Sequence, residues 1–296
     1  MKAEPPAGIT ERPANKTTLQ VTRVRGGVIA PSPRADVVVS EEPLEIRLAA
    51  GGNSRQLAVT MRTPGSDFEL AAGFLFSEGV ITHKDEITSI TYCVDRDLDE
   101  EQRYNVVNVR LRTEMLPDLP SLERHFTVNS ACGVCGKASI DAVAQGVAPL
   151  TAGWTVTPDF ISAMSGKLRR AQALFDQTGG LHAAALFSRD GALIEVREDV
   201  GRHNALDKLI GWALLNGRLP LSDYALLVSG RASFELVQKA AMAGIPLFCA
   251  ISAPSHLAVA LARRTSMTLI GFLRSEDYNI YAGSERICSH SAPASP

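Results

Sequence analysis

The alternation of helical and extended segments between Thr157 and Leu273 constrains this chain more than any other feature of its sequence. Thr157-Pro158 puts a capping hydroxyl before a proline at the first helical position, and Phe160, Ile161, Met164, Leu168, Ala171 and Phe175 keep helical spacing up to Gly179-Gly180. Ala183 to Phe187 and Leu193 to Val196 read as a hairpin around Arg189-Asp190-Gly191. Asn204 to Leu215 is a helix ended by Gly217, Tyr224 to Val228 a buried strand, and Phe234 to Ala243 a helix ended by Gly244. Ile245 to Ile251, Ser255 to Arg264 and Thr268 to Leu273 follow as strand, helix and strand. This α-β-β-α-β-α-β-α-β order predicts a sheet with crossover helices and a ligand crevice beyond the strand ends that feed them.

The first half has a different pattern. Leu44 to Ala49 and Gln56 to Met61 alternate on either side of Gly51-Gly52-Asn53-Ser54, as in a β-hairpin. Ser66 with Glu69 is a capping-box signature for a helix from Asp67 to Phe76 that closes at Gly79. Ile87 to Val94 and Tyr104 to Leu111 are two more strands, joined by an acidic loop from Asp95 to Glu101. The chain is therefore expected to be α/β, α+β overall: a tail over 1–18, a smaller α+β domain over 19–128, a loop and linker over 129–150, a larger domain over 151–287 and a tail over 288–296.

With 296 residues, 45% of them hydrophobic and 21% charged, the chain has material for one large or two modest globular domains. Its net charge of −2 gives no overall basic field, which argues against nonspecific nucleic-acid binding, so any anionic ligand must be held by local groups. Met1 to Thr18 has no apolar stretch of a signal peptide, and no apolar run reaches the roughly 18 residues of a membrane span. Five cysteines, an odd number without a dense framework, suit free thiols in a reducing cytoplasm.

Two of those thiols stand together in Asn129-Ser130-Ala131-Cys132-Gly133-Val134-Cys135-Gly136-Lys137. Gly133 and Gly136 let the backbone turn so that Cys132 and Cys135 can reach one soft electrophile or metal. The spacing fits half of a zinc site, a dithiol redox centre, or a nucleophile with a resolving partner. Cys93, Cys249 and Cys288 are isolated and supply no second half-site, so no structural zinc is expected.

The element order of the second half resembles the cytidine-deaminase-like fold. The deaminases place His-x-Glu and Pro-Cys-x-x-Cys at two successive helix starts to hold zinc. Here those places read Gly201-Arg202-His203-Asn204-Ala205 and Ser229-Gly230-Arg231-Ala232-Ser233, which lack the glutamate and both cysteines, so no metal site is expected. Glycine and arginine at a helix N-terminus suit phosphate groups instead, and Pro254-Ser255 opens a third such helix. Arg202 and Arg231 either serve that purpose or pair with acids such as Asp199 and Glu235.

Five separated motifs give the chain a family resemblance from about Pro43 to Tyr281. They are Ser130 to Gly136, Thr178-Gly179-Gly180-Leu181-His182-Ala183-Ala184, Glu198 to Lys208, Ser229 to Glu235, and Gly271-Phe272-Leu273-Arg274. Together they resemble the formate dehydrogenase accessory sulfurtransferase family, FdhD. The resemblance implies a sulfur carrier, a homodimer, that takes sulfur from a cysteine desulfurase as a persulfide on Cys132. It implies delivery to the bis-molybdopterin guanine dinucleotide molybdenum cofactor, which then enters formate dehydrogenase. It also implies that Phe272, Leu273, Arg274, Ser275, Glu276 and Asp277 bind the cofactor, with a guanine nucleotide as a mimic. Cys135 would resolve the persulfide or relay its sulfur. His182 and His203 could hold phosphate, pterin or sulfur, and Gly201, Arg202, Gly230 and Arg231 complete the expected pocket. A rival reading is a chaperone that binds the cofactor without covalent sulfur chemistry.

Overall fold

The computed structural model describes residues 13–93, 104–118, 149–150 and 153–288. Cys132, Cys135 and the acidic stretch from Asp95 to Glu101 lie outside the described residues.

The N-terminal half opens with a ribbon. β1 (Lys16–Val21) pairs antiparallel with β4 (Arg34–Val39), and β2 (Val24–Arg25) pairs antiparallel with β3 (Val28–Ile29). Gly26 and Gly27 turn the tip with φ of 56° and 82°, the left-handed pair that a two-residue hairpin turn of the primed kind needs. The ribbon starts at Lys16, inside the stretch expected to be a tail.

A four-stranded sheet follows in the order β6-β5-β8-β7, from β5 (Glu42–Ala50), β6 (Asn53–Arg62), β7 (Ile87–Tyr92) and β8 (Val106–Leu111). The expected hairpin is β5 and β6. Between β6 and β7, α1 (Asp67–Ser77) lays Leu70, Ala71 and Leu75 on Leu44, Ile46, Leu48, Val107 and Val109. The capping box is not formed: Ser66 sits at φ 55° with no side-chain bond to the helix. Gly65, at φ 110°, and Ser66 turn the chain too sharply for the extended backbone that a capping side chain requires. Glu69 instead binds Arg197, through Nε at 2.6 Å and Nη2 at 2.9 Å.

The C-terminal half has the expected order: α2 (Pro158–Ala171), α3 (Ala173–Thr178), β9 (His182–Ser188), β10 (Leu193–Asp199), α4 (Arg202–Leu215), β11 (Tyr224–Val228), α5 (Phe234–Met242), β12 (Leu247–Ala250), α6 (His256–Arg264) and β13 (Thr268–Arg274). The Thr157 hydroxyl accepts from Phe160 N at 3.2 Å, as the cap requires. The single expected helix breaks at Gln172 into α2 and α3. An additional strand, β14 (Asp277–Ala282), pairs antiparallel with β13 and closes a six-stranded sheet in the order β10-β9-β11-β12-β13-β14.

Alternation along the strands divides two cores. Ala184, Leu186, Leu226, Val228 and Phe248 face α4, α5 and α6, whereas Ala183, Ala185, Phe187, Leu227 and Cys249 face α2 through Ile161, Met164 and Leu168. Burial without a polar partner raises the Cys249 thiol far above its ordinary range.

The halves meet where α1 crosses α4 at glycine. A Cβ on Gly211 would lie 1.8 Å from Glu69 O, and one on Gly73 would lie 1.8 Å from Asp207 O, so the backbones touch only because both side chains are absent. Polar groups lace the seam. Lys208 Nζ donates to Thr63 O at 2.8 Å and lies 2.7 Å from Asp199, Thr63 N donates to Asp199 at 3.1 Å, and Asn204 Nδ2 donates to Met61 O at 2.8 Å. Deeper in, Asp207 accepts from Ser77 Oγ at 2.8 Å and from Lys239 Nζ at 2.7 Å. Every one of these charges has an opposite partner, as burial demands.

Candidate functional site

Strands β11, β12 and β13 run parallel, so their C-terminal ends share one edge of the sheet. β9 runs against β11 and begins at that edge with His182, which pairs in register with Asp199 at the end of β10. Backbone bonds lace the edge together. Ser229 N donates to Ala183 O at 2.9 Å, Ser252 N to Gly230 O at 3.3 Å, and Phe272 N to Ser252 O at 3.2 Å. The fold thus brings His182, Gly201, Arg202, His203, Gly230, Arg231 and Phe272 to one rim, beyond strand ends that feed helices.

The helix starts on this rim differ. Gly201 caps α4 with no side-chain acceptor, which leaves first-turn N–H groups and the positive end of the helix to a ligand, while its own N–H donates to Asp199 at 2.8 Å. At α5 the Ser233 hydroxyl takes the Leu236 N–H at 3.4 Å, and at α6 Ser255 takes that of Ala258 at 3.2 Å. Gly230-Arg231 therefore does not open a helix as expected. It lies in the loop before Ser233, and its contribution is space: a Cβ on Gly230 would stand 3.3 Å from His182 Nδ1 and 3.9 Å from Arg202 Cδ.

Positive charge gathers in that space. Arg202 Nε is buried with no hydrogen-bond partner among the described residues, an unsatisfied donor that an anion would meet. Arg231 is exposed and does not pair with Glu235, whose carboxylate lies 2.7 Å from His203 Nε2. The approach is close but not aligned as a hydrogen bond, and His203 Nε2 has no hydrogen-bond partner among the described residues. The His182 pKa is lowered from its ordinary value, first by burial and then by Arg202, His203 and Arg231, against the opposing pull of Asp199. A neutral imidazole beside two guanidinium groups can accept a hydrogen bond without repelling an anion.

The Phe272 to Asp277 stretch splits by burial. Leu273 is fully buried in the core facing α2, so it supports the strand and presents nothing to a ligand. Phe272 is exposed at φ 56°, where β13 bulges against β14 between Gly271 and Arg274. A left-handed backbone is costly for a bulky aromatic and is found where the surroundings force it. Arg274, Ser275, Glu276 and Asp277 are exposed around the following turn.

Sequence reasoning missed Glu235 as the partner of His203, and it missed the division of labour in Glu198 to Lys208. Within that motif Asp199, Asn204, Asp207 and Lys208 stitch the two halves, and Gly201, Arg202 and His203 face the rim. The available signal was the polar residues Asn204, Asp207 and Lys208 at helical spacing in an otherwise apolar helix.

Residues 39–288 match the family model described as the FdhD/NarQ family. The chain is 54% identical over 284 residues to the sulfur carrier protein FdhD of Streptomyces avermitilis, covering 93% of this chain and 96% of that one. It is 45% identical over 295 residues to the FdhD of Anaeromyxobacter dehalogenans, covering 97% and 96% of the two chains. A putative formate dehydrogenase accessory protein from Desulfotalea psychrophila, known from its crystal structure, superposes with a TM-score of 0.71 at 28% identity, covering 92% of this chain and 99% of that one. With its fold and most of its length matched in this way, the chain belongs to the FdhD/NarQ family.

Proposed function

We propose that this chain is a cytoplasmic sulfur carrier that serves a formate dehydrogenase by delivering persulfide sulfur to a guanine-dinucleotide molybdenum cofactor. The observation that supports the rim as the cofactor site is the convergence of Arg202, Arg231 and a neutral His182 around the gap left by Gly230, with exposed Phe272 on the same edge. Arg202 Nε and the open α4 start suit phosphate, the Phe272 ring suits a purine face, and the carrier names of the relatives agree.

On this reading the Cys132 thiolate attacks the outer sulfur of a desulfurase persulfide. The donor sulfur–sulfur bond breaks, the donor cysteine leaves as thiolate, and the new bond leaves Cys132 as the persulfide. Cys135, three residues on in the sequence, would resolve or relay that sulfur. The molybdenum cofactor is the substrate that receives it.

Incubation with a cysteine desulfurase and sulfur-labelled cysteine tests the carrier step. The label is expected on the wild-type chain and lost in Cys132→Ala with folding intact; a wild-type chain that takes no label would leave a cofactor-binding chaperone. Calorimetry with a guanine nucleotide tests the rim. Arg231→Ala should weaken binding by about 1.5 to 3 kcal/mol, the range for a hydrogen bond to a charged group, and should not change guanosine binding. Unchanged nucleotide affinity would remove Arg231 from the site.

A further inference from the structure

Asp199 is fully buried at the end of β10, in register with His182 and two residues before the cap of α4, and its carboxylate joins the rim to the first half of the chain. One oxygen, Oδ1, accepts from Gly201 N at 2.8 Å and from Asn204 Nδ2 at 3.1 Å, both at the opening of α4. The other, Oδ2, accepts from Thr63 N at 3.1 Å and lies 2.7 Å from Lys208 Nζ. Thr63 returns the contact, since its hydroxyl accepts from Val200 N at 3.1 Å. Asn204 is held in its turn by β6: Thr60 Oγ1 donates to its Oδ1 at 3.2 Å, and its Nδ2 donates to Met61 O at 2.8 Å. The chain therefore enters α4 with the polar groups of Asp199, Val200 and Gly201 fixed on β6 or on one another.

A carboxylate so near a helix start would ordinarily cap it, and would compete with an anion for the same N–H groups. This one is turned away. Gly201 holds the cap position without a side-chain acceptor, and the two Asp199 oxygens are occupied by Gly201, Asn204, Thr63 and Lys208. The negative charge is matched by Lys208, itself buried and donating to Thr63 O at 2.8 Å.

We propose that Asp199 is the positioning residue of the rim: it fixes the α4 start on the first half of the chain so that the first-turn N–H groups and the Arg202 guanidinium face the ligand. The proposal rests on the reading that the rim takes the phosphates of a guanine nucleotide. It adds that the first half, which contributes none of the rim side chains named above, sets the geometry in which those phosphates are held. Charge alone predicts the opposite effect of substitution. Asp199→Asn removes a negative charge near the site and strands the Lys208 ammonium, so a purely electrostatic role would tighten the binding of an anion. An amide, however, has one acceptor oxygen where the carboxylate has two, so it loses its hold on either Gly201 N or Thr63 N.

Calorimetry with guanosine diphosphate on the full chain tests the proposal, with circular dichroism as the control for folding. Affinity should fall about tenfold in Asp199→Asn, the weight of one hydrogen bond to a charged group, and should fall in the same direction in Thr63→Val, which keeps every charge. Guanosine, which lacks phosphate, should bind all forms alike. Adding Lys208→Met to Asp199→Asn returns the pair to its wild-type net charge and removes the stranded ammonium, so thermal stability should recover in part while nucleotide affinity stays low. Unchanged or tighter nucleotide binding in Asp199→Asn, an equal loss of guanosine, or affinity that recovers together with stability would overturn the proposal. A wild-type chain that binds no guanine nucleotide would overturn the rim reading instead. Hydrogen exchange of the Val200 and Gly201 amides in the free chain then decides the anchor: faster exchange in Asp199→Asn and Thr63→Val upholds it, and exchange at the wild-type rate removes it.

Discussion

Placing one methyl group at Gly211 tests whether the α1 and α4 crossing holds the two halves together. A Cβ there would lie 1.8 Å from Glu69 O and 2.8 Å from Gly73 N, where ordinary contact begins near 3.4 Å, so the helices must separate by about 1.5 Å. Alanine in a helix interior is favoured over glycine by about 1 kcal/mol, and the clash has to exceed that gain. Overpacking of this kind costs about 1 to 3 kcal/mol. The same separation would stretch the 2.8 Å bonds from Ser77 to Asp207 and from Asn204 to Met61, and each buried group left unpaired adds about 1 to 3 kcal/mol. The net loss for Gly211→Ala should be about 3 to 5 kcal/mol, a large part of a typical domain's stability. Urea unfolding read by tryptophan fluorescence is direct, since Trp212 adjoins the substituted residue. Gly73→Ala should cost as much, and the double variant less than twice that, because one separation relieves both clashes. A Gly211→Ala chain that unfolds within about 0.5 kcal/mol of wild type would mean that the backbones do not meet at these glycines.

Other outcomes follow from the same contacts. Lys239→Met should destabilise by about 3 to 5 kcal/mol by leaving Asp207 charged, buried and held by Ser77 alone, and Asp207→Leu added to it should recover part of the loss in thermal melts. Gly230→Ala should lower guanine-nucleotide affinity in calorimetry while leaving the urea midpoint nearly unchanged, because its Cβ enters the gap between His182 and Arg202 instead of the core. The folded His182 binds its proton less readily than the unfolded chain does, so the stability it contributes is intact above its ordinary value of 6.5 and is lost as the pH falls below it. His182→Gln should therefore flatten the decline in urea midpoint between about pH 7.5 and 5.5, and an unchanged slope would assign that decline to another group.

The C-terminal half was legible because its punctuation is local. Thr157 caps, and Gly179, Gly217 and Gly244 take positive φ just past their helices, where only neighbouring residues decide the outcome. β14 was not legible: Asp277, Asn279 and Ile280 are all exposed on an edge strand, and no alternation survives there. The Ser66 and Glu69 pair had the right spacing for a capping box, but Glu69 is engaged by Arg197, 128 residues away, and spacing carries no record of so distant a partner. For the site, the crevice at the strand ends and the convergence of His182, Arg202 and His203 could be read from element order. The burial of Leu273 and the approach of Glu235 to His203 depend on how the strands and helices pack, which the motifs do not record.

The stitching of the rim to the first half has a consequence for the order in which the protein is made. Met61 O, Thr63 N and Thr63 O leave the ribosome before their partners Asn204, Asp199 and Lys208, which follow 143, 136 and 145 residues later. At about 5 to 20 residues per second, the early segment waits on the order of ten seconds with those groups bound to water. When residues 199–208 emerge, the same helical turns that open the rim also dock on the waiting segment. A nascent chain stopped short of Asp199 has neither the seam nor the complete rim, so the two are finished together and neither exists in a half-built chain.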